Sequence, residues 1–186
     1  MIQRCPWANV SALEQEYHDQ QWGKPTKDDS VLFEFLVLES MQAGLSWKTI
    51  LVKREAFRLH LDDYDYHKIA EYDEAKLNQL LQEPSIIRHK LKLQATINNA
   101  QRFIEVQKEY GSFANYLWKF TNYQVIDNKP SKMEEIPAYN ELAEIITKEL
   151  KRRNFKFLGP TIIYSYLQAI GIINDHLEFC FVRNIN

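Results

Sequence analysis

From Val31 to Leu38 the chain is apolar at every position but Glu34, and the stretch that closes this run, Leu38-Glu39-Ser40-Met41-Gln42-Ala43-Gly44-Leu45-Ser46-Trp47, organises the rest. Read as a helix, Leu32, Phe35, Leu36, Glu39 and Ala43 fall at i, i+3, i+4, i+7 and i+11, which makes one stripe. A glutamate stands where that stripe asks for an apolar side chain. Buried carboxylates are rare unless they are paired, hydrogen-bonded or functional. Gly44 and Ser46 break the helix, Ser46 can cap the next one, and Trp47 opens it. A carboxylate accepts hydrogen bonds and favours cations, and an indole stacks on flat or cationic groups. Side by side at a turn, the two can grip a flat, electron-poor heterocycle. The competing reading is a partly exposed helix glutamate beside a core tryptophan.

The remaining elements also read as helices. Ser11-Ala12-Leu13-Glu14 is a capping box that starts a helix carrying Tyr17 and His18 and ending at Trp22-Gly23-Lys24-Pro25. Asp29 or Ser30 caps the Glu39 helix. Trp47 to Leu61 is amphipathic, with Trp47, Ile50, Leu51, Arg54 and Phe57 on one side. Asp65 and Asp73 each begin a helix, and Leu77, Leu80 and Leu81 face inward from the second. Pro84 interrupts, and a helix from about Arg88 to Tyr110 follows, stopped by Gly111. Helix, tight turn, helix is the result. Ser112 caps a short aromatic helix, 122–137 reads as a surface loop, and another helix runs to about Arg153. Pro160 suits the first turn of the last helix. Five glycines and six prolines in 186 residues favour helices over a turn-rich β fold, and no convincing strand or internal repeat is visible. The length fits one domain, residues 1–186, built as two small helical lobes around a cleft.

The formal charge of -2 means that any contact with nucleic acid must use a local patch. Two patches are available. Arg88, His89, Lys90 and Lys92 follow the hairpin, where a helix opening behind a tight turn offers backbone N–H groups to a phosphate. Lys151-Arg152-Arg153 with Lys156 is the other, equally readable as a solvated charged face. The N-terminus does not read as a signal peptide, and Ile162 to Ile173 is too short and interrupted to span a bilayer. A cytoplasmic protein without membrane contact is expected, whose two cysteines form no disulfide by default. The chain has no Gly-rich phosphate loop, nucleophile elbow or Cys-x-x-Cys, which argues against nucleotide hydrolysis, serine esterase chemistry and redox exchange.

Each end of the chain offers one thiol and one imidazole: Cys5 with His18, and His176 with Cys180. His176-x3-Cys180 places two ligands one helical turn apart. Two Cys and two His make a closed tetrahedral zinc site with no open position, which would pin the termini together. The alternatives are two buried cysteines with unrelated histidines, or a His18 that faces a pocket. Trp7, Tyr17, Trp22 and Trp47 form an aromatic set; such residues are core more often than they are a ligand box. If a metal clamps the N-terminal segment, these rings can be held against the Glu39–Trp47 turn as a stacking pocket. Enzymes acting on a nucleobase swing it into such a pocket.

These residues closely resemble the DNA-3-methyladenine glycosylase I family. The matches are Tyr17-His18-Asp19 with Trp22-Gly23; Leu38-Glu39 with Gln42-Ala43-Gly44-Leu45-Ser46-Trp47; Ile86-Ile87-Arg88-His89; Phe155-Lys156-Phe157-Leu158-Gly159; and Asn174-Asp175-His176 with Cys180. The resemblance implies an all-α fold, a helix-hairpin-helix glycosylase-like bundle with the termini joined by one structural zinc on Cys5, His18, His176 and Cys180. It implies a monofunctional glycosylase that hydrolyses the N-glycosidic bond of 3-methyladenine in alkylated double-stranded DNA, the first step of base excision repair. Glu39 would be catalytic, Tyr17, Trp22 and Trp47 would hold the base, and Arg88, His89 and Lys90 would meet the DNA backbone. A monomer is expected. The chain departs from the family at Ser40 and Ser85, where glycines are usual, and at Glu14, where a tyrosine is common. The family lacks the catalytic aspartate that most of its superfamily carries after the hairpin, and none is placed to serve here. Rival readings are a silent module that binds damaged DNA or free bases, and a glycosylase of wider alkylbase range.

Overall fold

The computed structural model describes residues 2–184. Nine α-helices are described: α1 (Ala12–Gln20), α2 (Asp29–Gln42), α3 (Trp47–His60), α4 (Tyr66–Ala70), α5 (Glu74–Gln82), α6 (Lys90–Tyr110), α7 (Phe113–Trp118), α8 (Glu141–Arg152) and α9 (Pro160–Ala169). The only strands among the described residues are β1 (Ile126–Asp127) and β2 (Ile173–Asn174), a two-residue parallel pair. The expected all-helical architecture is what the chain forms, and the short pair is an addition the sequence did not signal.

The helix starts follow side-chain chemistry. Ser11, Ser46, Asp65, Asp73, Ser112 and Asn140 each accept a backbone N–H in the first turn of the helix they precede. Pro160 occupies the first position of α9, where its missing N–H costs nothing. Gly111 ends α6 at φ 82°, a conformation open to glycine.

Helix α2 is the centre. Every residue from Leu32 to Met41 is buried. The single stripe expected from its spacing is therefore too narrow: α3, α6, α7 and α9 pack around it, and Phe33, Val37 and Leu38 are as buried as Leu32 and Leu36. All-round burial also encloses Glu34, which takes Arg54 at 2.8 Å and Arg58 at 2.7 Å, the pairing that a buried carboxylate requires. Ser40 sits in the core with its hydroxyl donated to Val37 O at 2.8 Å, so this departure leaves no unpaired group.

Two boundaries shift. Asp28, not Asp29 or Ser30, caps α2, because its backbone is the extended one. Asp29 instead accepts the N–H groups of Phe113 and Ala114, joining the start of α2 to the start of α7. Helix α6 begins at Lys90 rather than Arg88, with His89 as its cap.

Candidate active site

Helices α1, α2, α3 and α9, with the 3-10 turn at Pro6–Val10 and the loop before α8, enclose a cavity of about 400 Å³. Its walls include Trp7, Glu14, Tyr17, Trp22, Glu39, Gln42 and Trp47. Tyr17 leans on Trp47 with ring centroids 5.3 Å apart, and Trp7 meets Trp22 edge-on at 5.1 Å. Loop 122–137 supplies Met133 and Ile136, and α9 supplies Ser165 and Gln168. The aromatic set expected from the sequence, Trp7, Tyr17, Trp22 and Trp47, meets Glu39 here, Trp7 among the walls although the base-holding role falls to the other three. The four residues from the loop and α9 carry no local signal, because only the tertiary fold brings them here.

Glu39 is 4% exposed and accepts no hydrogen bond from any described residue. Burial pushes its carboxyl up to about 8. The Tyr17 hydroxyl and the Trp47 indole N–H are also buried without partners. The Tyr17 phenol is held well above its usual range, chiefly by burial and then by the Glu39 charge. Tyr17, Glu39 and Trp47, whose polar side-chain groups the protein leaves unpaired, thus line one aromatic cavity. Most buried polar groups are paired within the protein, so three unpaired ones gathered around a single cavity mark a place for a ligand.

Behind the pocket, the ligand atoms of Cys5, His18, His176 and Cys180 lie within 4.8 Å of one another, and all four residues are buried. Cys180 Sγ is 3.5 Å from both His18 Nε2 and His176 Nδ1, and Cys5 Sγ is 3.7 Å from His176 Nδ1. These edges suit a tetrahedron of two sulfurs and two nitrogens around a metal ion. The other ring nitrogens are committed outward: His18 Nδ1 faces Asp19 at 2.8 Å, itself gripped by Arg4, and His176 Nε2 faces Trp22 O at 3.1 Å. Such outer contacts fix the tautomer that leaves the inner nitrogen free for a metal. Gly23 is required beside them: its φ is 77°, and a Cβ there would lie 2.8 Å from His176 Nε2. The cluster joins the N- and C-terminal segments and sets Trp7 and Trp22 against the pocket.

The hairpin lies between α5 and α6. Arg88, His89 and Lys90 are exposed. His89 Nδ1 accepts the Lys92 N–H at 3.3 Å, so His89 is first of all the α6 cap. Ser85 does not adopt positive φ; its N–H and hydroxyl are held by Glu83 at 3.0 and 2.6 Å, and no backbone conflict arises from the missing glycine. Lys92 does not belong to the basic patch. It is 4% exposed, and its ammonium donates to Met41 O at 2.8 Å and Ala43 O at 2.6 Å, closing the C-terminus of α2. Lys53 of α3 donates to Ser85 O at 2.9 Å. Both lysines hold the hairpin against the Glu39–Trp47 turn. Of the second patch, Arg153 is bound to Glu109 and Arg152 to Glu149, the solvated-face reading.

With this geometry in view, the comparisons with known proteins agree. A family model described as methyladenine glycosylase matches residues 7–183. The chain is similar to the DNA-3-methyladenine glycosylase 1 of Escherichia coli, at 40% identity over 96% of each chain. It is similar in structure to a crystal structure of 3-methyladenine DNA glycosylase I, with TM-score 0.93 and 41% identity over 96% of this chain and 98% of that one. A structure from Staphylococcus aureus, described as the basis of 3-methyladenine recognition by its 3-methyladenine DNA glycosylase I, superposes with TM-score 0.93. It is 35% identical over 96% of this chain and 95% of the other.

Proposed function

Since this chain belongs to the methyladenine glycosylase family, whose reaction is removal of 3-methyladenine from DNA, we propose that its aromatic cavity receives that base and that excision turns on Glu39. The observation that carries this reading is a buried acid without a protein partner on a cavity that Tyr17 and Trp47 also line, with the Tyr17 hydroxyl and the Trp47 N–H unpaired as well.

Methylation at N3 makes the base cationic and already a good leaving group. Glu39 accepts a hydrogen bond from the exocyclic amine, and its negative charge favours the cation. With burial holding its carboxyl near 8, Glu39 is neutral in the empty pocket at pH 7, and an entering cation offsets the cost of ionising it. Tyr17, Trp22 and Trp47 hold the ring by stacking and edge contacts, cation–π attraction adding on the order of 1–2 kcal/mol in a desolvated site. A neutral adenine loses both charge contributions and costs more to unstack. As the bond to N9 breaks, the sugar becomes oxocarbenium-like and water attacks it. The acids after the hairpin, Glu105 and Glu109, are paired to Arg102 and Arg153, in keeping with a scaffold role. No lysine is assigned as a Schiff-base nucleophile, so strand cleavage is not expected.

Zinc fits the Cys5, His18, His176 and Cys180 cluster by donor set and spacing. With all four positions filled by protein it supplies no chemistry; it fixes the segment that carries Trp7, Tyr17 and Trp22. Arg88, His89 and Lys90 take the backbone of alkylated double-stranded DNA beside the lesion, and residues 1–186 act as one monomeric glycosylase domain with its lobes on either side of the cleft. Work on DNA puts the protein in the cytoplasm, and no described helix is long and apolar enough to cross a membrane.

Chromatography of the bases freed from methylated DNA is the test. Release of 3-methyladenine is expected. Binding without release would make the chain a silent binding module, and comparable release of 7-methylguanine would mark a wider-range glycosylase.

A further inference from the structure

Glu14 is the second acid of the cavity. It stands on α1 three residues before Tyr17, so both side chains leave the helix on one face, and both line the space that Glu39 enters from α2. Only 7% of it is exposed, a degree of burial that glutamates rarely show without a partner. Helix capping does not account for it. A capping-box glutamate turns back to the backbone N–H of the cap residue. Glu14 instead takes the Ser11 hydroxyl on Oε2 at 2.8 Å, and Oε1 has no partner among the described residues. One oxygen fixes the side chain, and the other is left for whatever fills the cavity.

A carboxylate so placed has given up part of its water and received no cation from the protein. We propose that Glu14 is a specificity-determining residue, the pocket's second acceptor and negative charge, which favours a purine bearing a positive charge over a neutral purine of similar size. This rests on the reading of the cavity as the site of base capture. The positive charge of an N3-alkylated purine is spread over the ring, and acids on α1 and α2 reach it from two helices. The aromatic walls stack either purine and favour the cation through cation–π attraction alone, and the acids add full negative charges that a neutral purine cannot use.

Two probes separate these contributions. 3,9-Dimethyladeninium is a permanent cation whose N9 methyl stands in for deoxyribose, and 9-methyladenine is neutral and one methyl smaller. Trp7, Trp22 and Trp47 line the cavity, so quenching of tryptophan fluorescence reports each dissociation constant. The unaltered protein is expected to prefer the cation. Glu14→Gln keeps the size of the side chain and its contact with Ser11, and is expected to weaken the cation about tenfold while changing 9-methyladenine less than about twofold. Equal weakening of both probes would make Glu14 a wall, and no change in either would make it part of the α1 cap; each overturns the assignment. Failure of base capture itself reads differently: the unaltered protein would then quench with neither probe and release no 3-methyladenine from methylated DNA.

Discussion

At the scale of single residues, Glu39 carries two expectations that pull in opposite directions. Glu39→Gln keeps the shape and removes the charge. Loss of one preorganised electrostatic partner costs roughly a hundredfold or more in rate, and single-turnover release of 3-methyladenine measures it. Unchanged release would refute the role. Stability should move the other way. Burial holds the Glu39 carboxyl near 8 in the folded protein against 4.5 as its ordinary value. Between those pH values the unfolded chain has given up its proton and the folded one has kept it, so the folded state loses ground as pH rises from about 4.5 to about 8. Glutamine does not titrate. Thermal unfolding should therefore find Glu39→Gln and the unaltered protein similar near pH 5, and the variant more stable by a few kcal/mol near pH 8. Glu39 was legible in the sequence because its neighbours are apolar and a carboxylate stands out among them. Lys92 was not, because its side chain has the chemistry of a surface residue. Only the carbonyls of Met41 and Ala43, 51 and 49 positions away, reveal what it binds.

Between elements, the same lysine decides how the hairpin sits against the end of α2. Lys92→Met keeps much of the buried stem but leaves two carbonyls at the end of α2 without a donor, a loss of about 2–3 kcal/mol that a urea midpoint would report. The exposed Arg88 behaves differently. Arg88→Ala should leave unfolding unchanged, weaken binding to damaged and undamaged duplexes alike, and reduce the slope of log affinity against log salt by about one. Distinct signatures from two basic residues four positions apart would separate a structural tie from a phosphate contact. Helix boundaries were readable wherever a capping side chain or a proline set them, as at Ser11, Ser46, Ser112 and Pro160. The cap of α2 lies one or two residues before the caps the sequence suggests, because three polar residues in a row, Asp28, Asp29 and Ser30, can all cap, and the choice between them lies in the contact that Asp29 makes with α7.

Over the whole molecule, the cluster of Cys5, His18, His176 and Cys180 gathers the two ends of the chain at one point. Elemental analysis should find about one zinc per chain. Cys180→Ser should lower metal content and thermal stability together, by several kcal/mol if the site behaves as structural zinc does elsewhere. That the four residues meet was readable as an option in the sequence; the halves are too far apart for spacing to choose it over unrelated residues. The sequence marks 122–137 as a surface loop but not as a wall of the cavity, since neither Met133 nor Ile136 announces one. The loop is tied to the C-terminal segment through residues 126–130. Ile126 and Asn128 donate to Ile172 and Asn174, Pro130 accepts from Glu178, the Asn128 amide reaches Asp175, and Arg183 pairs with Asp127. Those partners bracket His176 and Cys180. Withdrawal of the metal would thus slacken a strip of chain far from the ligands themselves, and the peptide bonds of that strip would become open to cutting. A protease nick between residues 122 and 137, absent from the loaded protein and appearing after chelation, would let metal occupancy be read on a gel.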